Sequence, residues 1–289
     1  MTDLTPFLDR LNHLLDRAER LLPPASNEPN WSAPAHRWRR PGRFVPVHRI
    51  AHIDLDDLLH VERQRNEVER NTRQFLAGLP ANNVLLCGSR GTGKSSLVRA
   101  LLTRYADDGL RLIEVEGHDL VDLPAIVEPL FGRPERFILY SDDLSFDAGD
   151  PGYKALKAML DGSIAATPEN VLIYATSNRR HLMPEQMRDN LESKLVDGEI
   201  HPGEAVEEKI SLSERFGLWL SFYPFTQDQY LAVVEHWLAR LDQPMTEAAR
   251  LEAIRYATQR GSRSGRVAAQ FARDWNGRVR MGIDVSAGG

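Results

Sequence analysis

The sequence predicts an α/β fold: a parallel five-stranded sheet covered by helices, with a small C-terminal helical lid and an N-terminal helical segment. Three observations lead there. From residue 83 onward, short apolar runs alternate with helical periodicity, and repeated β-α units make a parallel sheet buried on both faces. A glycine-rich loop lies between the first of these runs and the first of these helices. Beyond residue 225, two helical patterns follow one another with no strand between them, which predicts a helical cap.

Residues 4–22 place Leu4, Phe7, Leu8, Leu11, Leu14, Leu15, Ala18, Leu21 and Leu22 on one helical face, and Pro23 and Pro24 stop the pattern. Residues 23–49, rich in Pro, Arg and Trp and without a period, read as a loop or linker. A charged helix is expected over 54–77, broken by Gly78, Pro80 and Asn82. Strands are expected at Val84–Cys87, Leu112–Val115, Phe137–Tyr140, Val171–Ala175 and Leu218–Phe222. The first helix of the alternating region, Lys94–Tyr105, sets Leu97, Val98, Leu101 and Leu102 on one face and ends at Asp108-Gly109. Further helices are expected at Tyr153–Ile164, 228–241 and 246–258. This organisation suggests an N-terminal helix with a basic linker over 1–50, an α/β unit over 51–224 and a helical lid over 225–289.

The composition is that of an ordinary globular chain: 289 residues, 42% hydrophobic, 27% charged, net charge −5. No global basic field advertises nucleic acid. No apolar run approaches the roughly 18 residues needed to span a bilayer, and Asp3 and Asp9 within the first helical pattern argue against a signal peptide. The single cysteine, Cys87, rules out an internal disulfide framework and suits a reducing, cytoplasmic setting. It ends an apolar run and is expected to be buried.

The chemistry begins at "LLCGSRGTGKSSLVRALL". Gly88, Gly93, Lys94 and Ser95 hold the G-x-x-x-x-G-K-[ST] spacing between a strand and a helix, the context a phosphate-binding loop requires. Gly88, Gly91 and Gly93 allow backbone dihedrals closed to other residues and bring amides close to phosphate oxygens. Ser89, Thr92 and Ser96 complete the segment expected to bind the nucleotide. Lys94 supplies a charge for the β- and γ-phosphates, and the Ser95 hydroxyl is placed to join a Mg²⁺ shell.

Four further segments supply what hydrolysis needs. In "FILYSDDLSF" an apolar strand runs into Asp142, suited to Mg²⁺ coordination through water, and Asp143, suited to orienting or deprotonating the attacking water. In "VLIYATSNRR" a buried strand ends at Asn178, whose neutral amide can bond both the γ-phosphate and the attacking water. In "SLSERFGLWLSF" Arg215 precedes a strand, where it could reach a nucleotide in a neighbouring subunit. In "RGSRSGRVAAQF" Arg263 or Arg266 could contact the γ-phosphate from the lid.

In this order, GSRGTGKS, ILYSDD, YATSN, SERFGL and GSRSGR resemble the AAA+ ATPase superfamily. Stretches such as PERFILYSDDLSF and YATSNRRHLMP look like an uncharacterised bacterial AAA+ family known as a domain of unknown function, over roughly residues 50–276. The resemblance implies a P-loop NTPase fold with Walker A at Gly88–Ser95, Walker B at Asp142 and Asp143, sensor 1 at Asn178, an arginine finger at Arg215 and sensor 2 at Arg263. It also implies ATP and Mg²⁺ as cofactors, a homo-oligomer and a protein client. Two departures stand out. Most members have Glu where this chain has Asp143, which points to slow or switch-like hydrolysis. The only pore-loop candidate is Leu130-Phe131-Gly132, where Gly132 reads better as a helix C-cap, so threading of polypeptide is not expected.

Two stretches remain. "HRWRRPGRFVPVHR" (His36–Arg49) holds five arginines and no acid. It suits a nucleic-acid backbone, or docking on an acidic face of the same protein or a neighbouring subunit, and the protein contact is favoured. Residues 179–216, with His181, Met183, Met187, His201 and an acidic cluster at Glu204, Glu207 and Glu208, form a candidate partner-binding insertion; no ligand spacing makes a metal site of the histidines. Three functions stay open at this level: an oligomeric ATPase, a nucleotide-switched binding module acting on nucleic acid or a protein complex, and a P-loop kinase. The last leaves Asn178, Arg215 and Arg263 unexplained.

Overall fold

The computed structural model describes residues 29–146, 150–162, 168–178, 194–196, 199–201 and 212–283, with 194–196 and 199–201 described in their backbone only. The helix expected over 4–22 lies outside the described residues, as do His181, Met183, Met187, Glu204, Glu207 and Glu208.

In chain order the elements are β1 (Ala35–Arg39), β2 (Arg43–Pro46), α1 (Glu62–Leu76), β3 (Val84–Gly88), α2 (Lys94–Tyr105), β4 (Leu110–Glu114), α3 (Leu123–Val127), β5 (Arg136–Ser141), α4 (Pro151–Asp161), β6 (Val171–Ser177), β7 (Lys194–Val196), β8 (Glu199–His201), β9 (Leu218–Phe222), α5 (Gln227–Ala239), α6 (Glu247–Gln259) and α7 (Gly265–Arg280). The main sheet runs β2-β1-β4-β5-β6-β3-β9, and β7 pairs with β8 in a separate two-stranded ladder. Every neighbouring pair in the main sheet is parallel except β1 and β2.

Strand alternation divides the core into two layers. Val84, Leu86, Ile138, Tyr140, Leu172 and Tyr174 face one side, packed with Val68 and Phe75 of α1 and Leu97 and Leu101 of α2. Leu85, Cys87, Phe137, Leu139, Ile173 and Ala175 face the other, against Ile126 of α3 and Leu156 of α4. Side chains one residue apart on a strand point to opposite faces, so near-continuous apolar runs are what a sheet covered on both sides demands. Register then sets the site. Cys87 lies opposite Ser177, Gly88 opposite Phe222 and Ser141 opposite Ala175, so the C-terminal ends of β3, β5, β6 and β9 share one edge.

The five expected strands are all present, and the main sheet has two more. β1 and β2 lie within the stretch read as a linker. The segment shows no useful period because its arginines occupy a strand face and their partners are remote. Arg37 Nη2 meets Glu114 Oε2 at 2.6 Å, Arg39 pairs with Glu116, and Arg40 Nε meets Asp122 Oδ2 at 2.8 Å and buried Asp119 at 3.2 Å. Trp38 is buried and its Nε1–H donates to Asp122 at 3.2 Å. Three of the five arginines are thus engaged on an acidic face of the same chain.

The lid helices pack into the α1/α2 layer through Tyr230, Val234, Leu238, Phe271 and Trp275. Each buried side chain of this size is worth roughly 1.5–3 kcal/mol relative to exposure. Thr226, Thr246 and Ser264 cap the three helices by accepting main-chain N–H bonds. Buried Asp57 ties the lid to the segment before α1: its Oδ1 bonds His236 Nε2 at 2.9 Å and its Oδ2 accepts from Arg240 at 3.1 Å. Gly132 has φ +70° just after a 3₁₀ turn, which suits a helix end, and Phe131 beside it is exposed.

Candidate functional site

The loop between β3 and α2 is shaped by Gly88, Gly91 and Gly93, with φ of +124°, +76° and +106°. Two of these positions also exclude a side chain by contact. A Cβ at Gly88 would lie 2.0 Å from the Phe222 carbonyl oxygen, and one at Gly91 would lie 2.7 Å from Ser264 Oγ. The first close approach binds the loop to β9, where Ser89 N–H donates to Phe222 O at 3.1 Å. The second binds it to the lid, where Arg266 N–H donates to Gly91 O at 3.3 Å.

Lys94 opens α2 and is only 5% exposed. Its ammonium donates to Gly88 O at 2.7 Å, Ser89 O at 2.8 Å and Asn178 Oδ1 at 3.0 Å. All three acceptors are neutral. Burial pulls its pKa below the usual lysine value, against the opposing pull of Cys87, Asp142 and Asp143, while the nearby Arg266 charge adds to the lowering. A buried cation held by neutral oxygens, at a helix N-terminus and beside a second cation, fits a phosphate group.

Asp142 is held by three hydroxyls. Ser95 Oγ donates to its Oδ1 at 2.6 Å, Thr176 Oγ1 at 2.6 Å and Tyr140 OH at 2.8 Å. Burial alone would raise this carboxyl, but the three donors overcome it and hold it below the ordinary range. An ionised carboxylate against the hydroxyl of the residue after the loop lysine is a donor set that fits Mg²⁺ through its water shell. Asp143 has φ +52°, in the left-handed region that non-glycine residues seldom occupy. Thr176 fixes it there by accepting its N–H at 2.9 Å, and Asn178 Nδ2 donates to its Oδ1 at 2.5 Å. Asn178 therefore bridges the loop lysine and the second aspartate.

Lys94, Ser95, Asp142, Asp143 and Asn178 are brought together, with Gly88, Ser89, Gly91, Thr92 and Gly93 around them; Thr92 Oγ1 donates to Ser89 O at 2.8 Å and closes the loop. Ser96 lies in the first turn of α2. Both lid arginines are exposed; the main-chain N–H of Arg266 bonds the loop and its charge acts on Lys94, while Arg263 lies on the turn before α7. Arg215 follows a short helical turn ahead of β9, and its guanidinium pairs with Asp161 at the end of α4. Tyr140 and Thr176 were not singled out from sequence. Each stands two residues before a site residue, Asp142 or Asn178, which follow the ends of β5 and β6, so the available signal was their place near the end of each strand.

A parallel sheet with β3 between β6 and β9, a glycine-rich loop at its C-terminal edge and helices packed over that loop is the α/β fold of AAA+ P-loop NTPases. The chain belongs to the family described as protein of unknown function (DUF815), whose model matches residues 31–279. No curated protein matches the sequence. Among solved structures, the RuvB Holliday junction branch migration motor of Thermotoga maritima is similar at 15% identity and a TM-score of 0.55, covering 81% of this chain and 69% of that one. The ORC1 protein of Aeropyrum pernix, solved in complex with DNA, is similar at 17% identity and a TM-score of 0.52, covering 80% and 65%. At these identities the likeness is one of fold. No described helix is long and apolar enough to cross a membrane.

Proposed function

We propose that this protein binds Mg²⁺-ATP at the β3–α2 loop and hydrolyses it as a homo-oligomer in the cytoplasm, using the cycle to remodel a protein client. The observation that carries the reading is the position of Asn178, 3.0 Å from Lys94 and 2.5 Å from Asp143. One neutral amide thereby links the group suited to the terminal phosphate with the group suited to the attacking water.

The roles follow from the geometry. Lys94 and the loop amides bind the β- and γ-phosphates, and Ser95 and Asp142 hold Mg²⁺, which when bound neutralises phosphate charge. Asn178 orients the attacking water. Asp143 accepts a proton from that water as its oxygen adds to the γ-phosphorus and the β–γ bridging P–O bond breaks, leaving ADP and phosphate. On the lid side the γ-phosphate contact falls to Arg266, bonded to the loop, in preference to Arg263. Arg215 serves the site of a neighbouring subunit, where it stabilises charge in the transition state.

The test is turnover against protein concentration. Specific activity should rise with concentration in the parent protein, and Arg215→Ala should abolish the rise. Asp143→Asn should bind ATP without turning it over, whereas Lys94→Ala should fail to bind. Tight binding by Lys94→Ala would remove the site from the loop. A slow, switch-like ATPase is the second reading. It is favoured by Asp143 standing where a longer Glu is usual and by its carboxylate being held by Asn178. Turnover far below one per minute, with a partner retained only in ATP, would select it.

A further inference from the structure

The phosphate loop carries a second cation that the roles above leave unused. Arg90 lies between Ser89 and Gly91, is 76% exposed along its side chain, and places Nη2 3.8 Å from Asp143 Oδ2. The other oxygen of the same carboxylate, Oδ1, accepts from Asn178 at 2.5 Å. Both oxygens of Asp143 therefore face donors, one from just past the end of β6 and one from the loop itself. Lys94 is buried with its three N–H groups directed to three neutral acceptors. Arg90 is free to move: a long, exposed side chain in a loose pair is readily given up.

We propose that Arg90 senses the terminal phosphate and, by doing so, controls Asp143. A γ-phosphate presents more negative charge than one carboxylate and accepts a guanidinium through two oxygens at once. With a triphosphate in the loop, Arg90 exchanges Asp143 for the γ-phosphate, which leaves Asp143 Oδ2 to receive the water. With a diphosphate there is no such competitor, and Arg90 stays on Asp143. The weakness of the pair is what suits it to this task, since a strong pair would subtract its full strength from ATP affinity. The proposal rests on the nucleotide site described above and adds to it a means of telling ATP from ADP.

The experiment measures ATP and ADP dissociation constants and single-turnover rates for the full-length parent, Arg90→Ala, Arg90→Lys, Asp143→Asn and the Arg90→Ala/Asp143→Asn double variant. Arg90→Ala should weaken ATP about tenfold, the scale of one charge-assisted hydrogen bond, and leave ADP within about twofold. Arg90→Lys should recover part of the ATP affinity. Asp143→Asn should tighten ATP in the parent by freeing Arg90, and most of that gain should vanish in the double variant. Equal changes for ATP and ADP in Arg90→Ala, or a gain in Asp143→Asn that survives without Arg90, would overturn the proposal while the site stands. A parent protein that binds neither nucleotide would instead overturn the site, and the proposal with it.

Discussion

Thr176 Oγ1 donates to Asp142 Oδ1 at 2.6 Å, and the same oxygen accepts the Asp143 N–H at 2.9 Å. One hydroxyl on β6 therefore fixes the carboxylate suited to the metal and, through the backbone, the left-handed residue beside it. This tie crosses from β6 to the end of β5, the strand next to it in the sheet. Thr176→Val keeps the shape and removes both bonds. A hydrogen bond to a charged group is worth about 1.5–3 kcal/mol. If that is felt chiefly in the transition state, turnover should fall about ten- to hundredfold. ADP affinity should change less than threefold, and Thr176→Ser should restore most of the rate. Single-turnover kinetics with equilibrium nucleotide binding checks this, and an unchanged rate in Thr176→Val would remove the positioning role.

The glycines of the loop should differ in what they tolerate. At Gly88 an added methyl would sit 2.0 Å from a main-chain oxygen of β9, which cannot withdraw without parting two paired strands. At Gly91 the clash is with Ser264 Oγ at 2.7 Å and Ser264 Cβ at 2.9 Å, side-chain atoms that give way only by a small shift of the lid, and φ +76° further penalises alanine. Gly88→Ala should therefore fail to fold or lose more than about 3 kcal/mol, the scale of severe core strain. Gly91→Ala should lose about 1–2 kcal/mol, the cost of one disfavoured backbone conformation. Urea unfolding of the two variants against the parent decides the order, and equal losses would contradict it.

Cys87 provides a pH signature from the interior. Burial pushes its thiol up to about 11, with the Trp219 hydrogen bond and Lys94 opposing. In the unfolded chain a thiol ionises near 8.5. A neutral thiol favoured by folding contributes stability fully present below about pH 8.5 and lost as pH rises toward 11. The parent should therefore lose urea resistance between pH 8 and 10 faster than Cys87→Ala, and the two curves should converge in slope below about pH 8. As the only cysteine, it should also resist iodoacetamide at pH 7.5 until the protein is unfolded. Rapid labelling of the native protein would show the thiol to be accessible.

The hairpin should behave as part of the sheet. Asp119 is 3% exposed along its side chain and meets Arg40 Nε at 3.2 Å and His118 Nε2 at 3.4 Å. Arg40→Ala leaves this buried carboxylate without its arginine, which costs more than the exposed arginine itself contributes. The variant should unfold at lower urea, and Asp119→Asn in the Arg40→Ala background should recover part of the loss. Parent-like stability in Arg40→Ala would mean that the hairpin is held by Trp38 packing alone.

How much of this was legible beforehand follows from the range of the interactions involved. The five central strands, α2 and the lid helices α5 and α6 were readable because their signals are local: apolar runs, a 3.6-residue period and glycines that break them. The phosphate loop was readable for the same reason, since its residues are contiguous and its chemistry depends on their spacing. Asp142, Asp143 and Asn178 could be placed at strand ends, but the amide bridge from Lys94 to Asp143 spans 84 and 35 residues, and no period records it. The β1–β2 hairpin was misread as a linker because the acids that fix its arginines lie 77 residues or more downstream. The main-chain bond from Arg266 to Gly91 likewise comes from the lid packing its last helix onto the loop. Amino-acid order alone thus determined the fold class and the strands that present the candidate site. Which groups meet was settled by folding, because those bonds join segments that only sheet order and lid docking bring within hydrogen-bond distance.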